Sequence, residues 1–291
     1  MLHNNKNIIG NNMQLLEDLK DYLGFAVAGN FANHLGEAGE ADEFAVIKTE
    51  EKDAPKGMFP FYIKGHDSFL GTYPICDEII LTHGRENENL QVEAEVALIC
   101  DFVYENDKVI DIVPKYFSAF NDCSIRVNNG EKLSTKKNWG TNTKGISQDI
   151  IEIDNFTEKG ILNKYHISSF IKRDGIVYDY GTTSAVKSYS YFFMKLKDWM
   201  VEKLNTQEDC GPLEELTQFL KVGAKDAKGI LIAAGATAYT EFGKHNFLKK
   251  GDEIFVYVYN AHFHSFDDIY NDMCGMDTYL GQCSKLHQIV Q

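Results

Sequence analysis

Gln91-Val92-Glu93-Ala94-Glu95-Val96-Ala97-Leu98-Ile99-Cys100 is the stretch on which the reading of this chain turns. Successive strand side chains point to opposite faces, so Glu93 and Glu95 project together while Val92, Ala94, Val96 and Leu98 line the other face. Beyond Glu95 the carboxylate face continues with Ala97 and Ile99, unlike an ordinary wet surface. Two acids at the rim of an otherwise apolar strand make half of a hard-cation site, because oxygen ligands suit Mg²⁺, Mn²⁺ or Ca²⁺. A bare Glu-x-Glu pair also describes a solvated strand face. The rest of the chain must supply the other half of a site.

Asp122 is the natural third ligand. It lies in Ala119-Phe120-Asn121-Asp122-Cys123-Ser124-Ile125-Arg126, where an acid among apolar neighbours is unexpected unless paired or metal-bound. An Asn-Asp turn capping backbone amides is the structural alternative. Three carboxylates with open positions for water and substrate fit Mg²⁺ or Mn²⁺ better than zinc, which prefers nitrogen and sulfur. Lys144 precedes Gly145, which lets the backbone approach a ligand closely, so this lysine could stabilise a developing oxyanion; otherwise it is a loop lysine. Lys136 and Lys137 read as solvated. His34 and Glu37, three residues apart, share one face of a helical turn and suit water activation, or else decorate a polar helix. Gly235 and Thr237 follow a strand, where an amide and a hydroxyl could hold an anion. His262-Phe263-His264 and the later Cys274 and Cys283 match no common zinc spacing and read as a structural or partner-facing tail.

Around these residues the pattern is mostly β. Strand signals fall at 24–28, 59–64, 78–82, 93–102, 108–113, 162–171, 176–180, 229–233 and 253–259, with Asp174-Gly175 favouring a hairpin. Helical spacing is confined to 13–23, 31–36, 189–204 and 213–222. Many strands without regular βαβ alternation predict an α+β, mainly β, domain. The division expected is a helical segment at 1–23, a catalytic domain at 24–259 and a C-terminal extension at 260–291.

Hydrophobic content of 44% supports a sizeable core. The net charge of −14 argues against nucleic-acid and anionic-membrane partners, since phosphate binding needs a basic surface. The longest apolar run, 229–236, is far too short to span a bilayer. The polar first twelve residues lack the apolar core of a secretory signal. Six cysteines without a Cys-x-x-Cys pair, two of them (Cys100 and Cys123) in apolar stretches, indicate free thiols in a reducing compartment. The expectation is a soluble cytoplasmic protein.

The order of these motifs resembles the fumarylacetoacetate hydrolase superfamily. Gly29, Asn30, Phe31, His34 and Glu37 match its Gly-x-Asn-Tyr-x-x-His-x-x-Glu segment, and Pro60 to Lys64 match its Pro-x-x-x-Lys strand. Glu93 and Glu95 match Glu-x-Glu; Asn121, Asp122, Ser124 and Arg126 match Asn-Asp-x-Ser-x-Arg; Lys144 matches the following lysine. Leu248, Gly251 and Asp252 match a late Leu-x-x-Gly-Asp hairpin. Gly145-Ile146-Ser147 replaces the family's Ser-Phe-Asp, and Ala234-Gly235-Ala236-Thr237 replaces Thr-Gly-Thr-Pro. The resemblance implies a mixed β-sandwich roll, a homodimer, and Mg²⁺ or Mn²⁺ (Ca²⁺ being compatible) on Glu93, Glu95 and Asp122. It also implies a small anionic diketo or 2-oxo acid substrate and hydrolysis of a carbon–carbon bond in an acylpyruvate. Lys144 would polarise the carbonyl, His34 and Glu37 would activate water, and Arg126, Gly235 and Thr237 would contact substrate. Decarboxylation or enol/keto isomerisation of 2-oxo acids, or a silent binding role, are the alternatives on the same scaffold.

Overall fold

The computed structural model describes residues 14–31, 44–49, 51–127, 132–276 and 278–291. Its fold is α+β and mainly β, with two larger sheets packed face to face as a mixed β-sandwich. The first sheet runs β2 (Gly57–Tyr62), β1 (Tyr22–Ala28), β12 (Gly229–Ala233), β5 (Ala94–Glu105), β6 (Lys108–Asn121) and β8 (Gly145–Ile146), with β9 (Ile151–Glu152) also on β6. The second runs β11 (Ile176–Ala185), β10 (Tyr165–Arg173), β13 (Glu253–Asn260), β14 (Cys283–Val290) and β3 (Ile79–Ile80). A short ladder joins β4 (Leu90–Gln91) to β7 (Ser124–Ile125). Pairing is antiparallel except for β1 with β12 and β14 with β3.

The strand containing the opening stretch is apolar on both sides because both sides are covered. Val92, Ala94, Val96 and Leu98 enter the core between the sheets, with Ile167, Ile254, Val256 and Leu286 from the second sheet. Ala97 and Ile99 enter a separate cluster with Phe59, Phe61, Phe120, Leu133 and Leu231. Helix α2 (Phe193–Thr206) adds Leu196, Trp199, Met200 and Leu204 to the first core.

Turn chemistry fixes the registers. Asn106 and Asp107 both have φ near +55° and close the β5–β6 hairpin; Asp174 and Gly175 do the same for β10–β11, as their sequence predicts. The sequence reading stops β6 at 113, whereas the strand runs to Asn121. Pro114 lies beside a register shift at Ile99/Cys100, where a missing N–H is tolerated. Pro60 sits in β2, an edge strand, for the same reason. The helix expected from 189 begins only at Phe193, because Phe192 before it is extended, with φ −147° and ψ 171°. All six cysteines are free, with Cys100 and Cys123 buried as expected. Among the described residues no helix is long and apolar enough to cross a membrane.

Candidate metal centre

Glu93 immediately precedes β5, Glu95 is its second residue, and Asp122 immediately follows β6. The ladder brings them together: Glu95 pairs with Phe120, Ala94 with Asn121, and the Asp122 N–H donates to Glu93 O at 2.9 Å. One oxygen from each of the three carboxylates lies within 4.8 Å of the others. Their relative exposures are 4%, 1% and 0%, so this is not a wet strand face. The strand period put two acids side by side, and the hairpin return supplied the third.

Each carboxylate is held differently. Glu95 Oε2 accepts the Gly235 N–H at 2.7 Å. The 234–237 segment continues past β12 along β5, with Ala234 N on Val96 O at 3.0 Å and Thr237 N on Ala94 O at 3.2 Å. Gly235 has φ +115°, and a Cβ there would fall 2.9 Å from Asn30 Cβ, so glycine is required to turn this amide toward Glu95. Asn30 secures the turn, its Nδ2 donating to Ala234 O at 2.8 Å and Tyr191 O at 2.9 Å. Tyr189 Oη adds a bond to Gly235 O at 2.7 Å. Glu93 is held through Oε1 by Arg126, which also donates to Gln91 Oε1 at 2.6 Å and to Tyr239 Oη at 2.7 Å. Tyr239 Oη in turn donates to Val92 O at 2.8 Å.

Lys144 precedes β8 and is fully buried, its Nζ 3.0 Å from Asp122 Oδ1 and donating to Cys123 O. Gly145 follows it because Gln288 of β14 packs there: a Cβ would meet the Gln288 amide at 2.3 Å. Gln288 Oε1 also accepts from Asn121 at 3.0 Å, so the last strand buttresses both Asn121 and Gly145. Lys137, at the end of helix α1 (Leu133–Lys137), reverses the sequence expectation. It is 3% exposed, not solvated, and its Nζ lies 2.7 Å from Glu93 Oε2 and 2.7 Å from Asp122 Oδ2. Lys136 is buried as well. The available signal was the spacing of Leu133 and Lys137, four apart on one helical face, with Leu133 buried.

Burial, with Asp122 and Glu93 beside it, drives the Glu95 carboxyl far above the ordinary carboxylate range, against the pull of Lys137 and the Gly235 amide. Burial lowers the Lys144 ammonium from its usual value, and Asp122 opposes that shift. The donor set fits a hard divalent cation: all three groups are carboxylates, and among the described residues the buried Asp122 Oδ1 faces only the Lys144 ammonium, 3.0 Å away. A cavity of about 260 Å³ is lined by Arg85, Ile125, Val127, Thr135, Lys136 and Trp139, among others, and by none of the three carboxylates. Ile125 and Val127 flank Arg126 in sequence, and Lys136 adjoins Lys137, so the cavity borders the segments that carry the site's cations. His34 and Glu37, the pair expected from the sequence to activate water, lie outside the described residues.

The profile of a family described as "Family of unknown function (DUF5718)" matches residues 40–290. No curated protein matches the sequence. Among solved structures, a protein described as of the fumarylacetoacetate hydrolase family from Yersinia pestis CO92 superposes with a TM-score of 0.51 at 12% identity, covering 92% of this chain and 93% of that one. A protein from Mycobacterium smegmatis described as HpcE superposes with the same TM-score of 0.51 at 13% identity, covering 92% of this chain and 74% of that one. The likeness extends over nearly the whole chain, and the sandwich expected from the sequence is the fold observed, one shared with these two structures.

Proposed function

We propose that this chain, which belongs to DUF5718, a family of unknown function, is a divalent-metal-dependent enzyme that cleaves a carbon–carbon bond in an acylpyruvate or related diketo acid. The observation that carries the reading is the set of three buried carboxylates with oxygens within 4.8 Å of one another. Burying three acids together is strongly unfavourable unless cations offset them, so a cluster of this kind is a functional candidate on physical grounds. Glu93, Glu95 and Asp122 would hold Mg²⁺ or Mn²⁺. The ion would supply Lewis-acid polarisation of two chelating substrate oxygens.

The chain's own residues do the rest. Arg126 keeps Glu93 in place and is kept as a substrate contact from the sequence reading. Lys144, fixed between Asp122 and Cys123 O, presents a buried ammonium that offsets negative charge developing on a carbonyl oxygen. The Gly235 amide is engaged by Glu95, so its role is to orient that ligand, while Thr237 is kept as a substrate contact from the sequence reading. His34 and Glu37 are assigned the activation of water from their spacing alone. A homodimer and a cytoplasmic location complete the proposal.

The test is turnover of a panel of acylpyruvates, other diketo acids and 2-oxo acids with Mg²⁺ or Mn²⁺ added to metal-stripped protein. Hydrolysis lost in His34→Ala and in Asp122→Asn supports the assignment. Decarboxylation or enolisation that survives His34→Ala moves the chain to the second activity class. No turnover of any member, with no Mn²⁺ bound by calorimetry, ends the metal-enzyme reading.

A further inference from the structure

Lys137 is not accounted for by a set of three metal ligands. Its ammonium sits 2.7 Å from Glu93 and 2.7 Å from Asp122, two of the three acids that would take the ion. It lies 5.2 Å from the centre of the Phe59 ring, whose face favours a cation in that place. The lysine therefore satisfies lone pairs that a divalent ion would also need.

We propose that Lys137 is a tethered counter-cation of the triad, displaced by a divalent ion only in company with a dianionic oxygen ligand. The inference rests on the metal reading above and concerns what controls that site. Three carboxylates, Glu93, Glu95 and Asp122, stand with three cations, Arg126, Lys137 and Lys144, on side chains at most 5% exposed. Once all three carboxylates are ionised to take the ion, the three cations cancel their charge. A divalent ion added alone leaves two surplus positive charges where water cannot screen them. A chelating dianion restores neutrality and gives the displaced ammonium new oxygens to bind. The lysine stem is flexible enough for its head group to move while Leu133, on the same face of α1, stays packed. Ion and dianion then raise each other's affinity, as linkage requires, and the ion alone binds weakly.

The experiment is Mn²⁺ titration of the full chain by calorimetry and electron paramagnetic resonance, with and without oxalate, in wild type, Lys137→Met and Lys137→Gln. The glutamine variant keeps donors for Glu93 and Asp122 if the methionine variant does not fold. Removing the competitor should tighten binding of Mn²⁺ alone by tenfold or more and shrink the additional gain from oxalate. A lysine that only supports the fold would give the opposite, weaker Mn²⁺ binding on removal. Equal or weaker Mn²⁺ binding in both variants overturns the counter-cation role and leaves the metal site intact. Absence of Mn²⁺ binding in all three proteins, oxalate included, overturns the metal reading itself.

Discussion

The two ends of the β5–β6 hairpin carry similar residues in opposite surroundings. From Ala94 to Cys100 every residue of β5 is buried; from Asp101 onward the strand alternates between exposed and half-covered. The change falls at the register shift beside Pro114. At the outer end Asp101 and Lys115 stand 3.7 Å apart, 61% and 49% exposed, and such a pair contributes about 0–1 kcal/mol. At the inner end Asp122 meets Lys137 and Lys144 on side chains 0–3% exposed. An acid–lysine pair is incidental where water reaches it and decisive where water does not, because only the buried charge loses its solvation.

The sharpest way to break this contrast is Asp122→Ala, which leaves the buried Lys144 ammonium without a carboxylate and Lys137 with Glu93 alone. It should cost about 3–5 kcal/mol in urea unfolding, and a loss below about 1 kcal/mol would mean that the inner end is hydrated after all.

A second probe lies beneath α1. Glu214 is buried, its Oε2 has no hydrogen-bond donor, and Ser134 of α1 donates to its Oε1. Burial pushes this carboxyl up to about 7, with the Ser134 hydroxyl opposing the shift. A carboxyl whose folded value exceeds its unfolded value binds more protons when folded, so it loses stability as pH rises from about 4.5 to about 7. Its share is on the order of 2–3 kcal/mol across that window. Glu214→Gln should flatten the stability profile there by that amount, measured against wild type by denaturation at pH 5 and pH 8. An unchanged slope would show that Glu214 is solvated.

Gly235→Ala tests the turn that orients Glu95. With φ +115° and Asn30 Cβ at 2.9 Å, the added methyl should cost about 1–3 kcal/mol and loosen Mn²⁺ binding. A variant as stable as wild type, with unaltered Mn²⁺ affinity, would remove the amide from the account of the site. The smallest effect is expected at the outer end, where Asp101→Ala should change stability by less than about 1 kcal/mol. A larger loss there would erase the distinction between the two ends.

Much of the inner end was legible in the order of residues. Period-two spacing placed Glu93 and Glu95 on one face, and the apolar flanks of Asp122 marked it as an acid in need of a partner. Lys144 was recognisable from the glycine after it, although Gln288, the group that requires this glycine, lies 144 residues on from Lys144. Lys137 was misread, because its partners are 15 and 44 residues away and no local pattern reveals them. The Gly235 amide, read as an anion contact, is used by Glu95, 140 residues earlier.

Local order thus fixed which residues are strand, which share a face and where the hairpins turn, since these follow from side-chain alternation and backbone sterics over a few residues. The folded chain alone decided which carboxylates are dry, which cations neutralise them and which backbone amide aims at them. Desolvation and charge pairing depend on distance in space, and here the partners are brought together by a ladder, a short helix and a turn from separate parts of the chain.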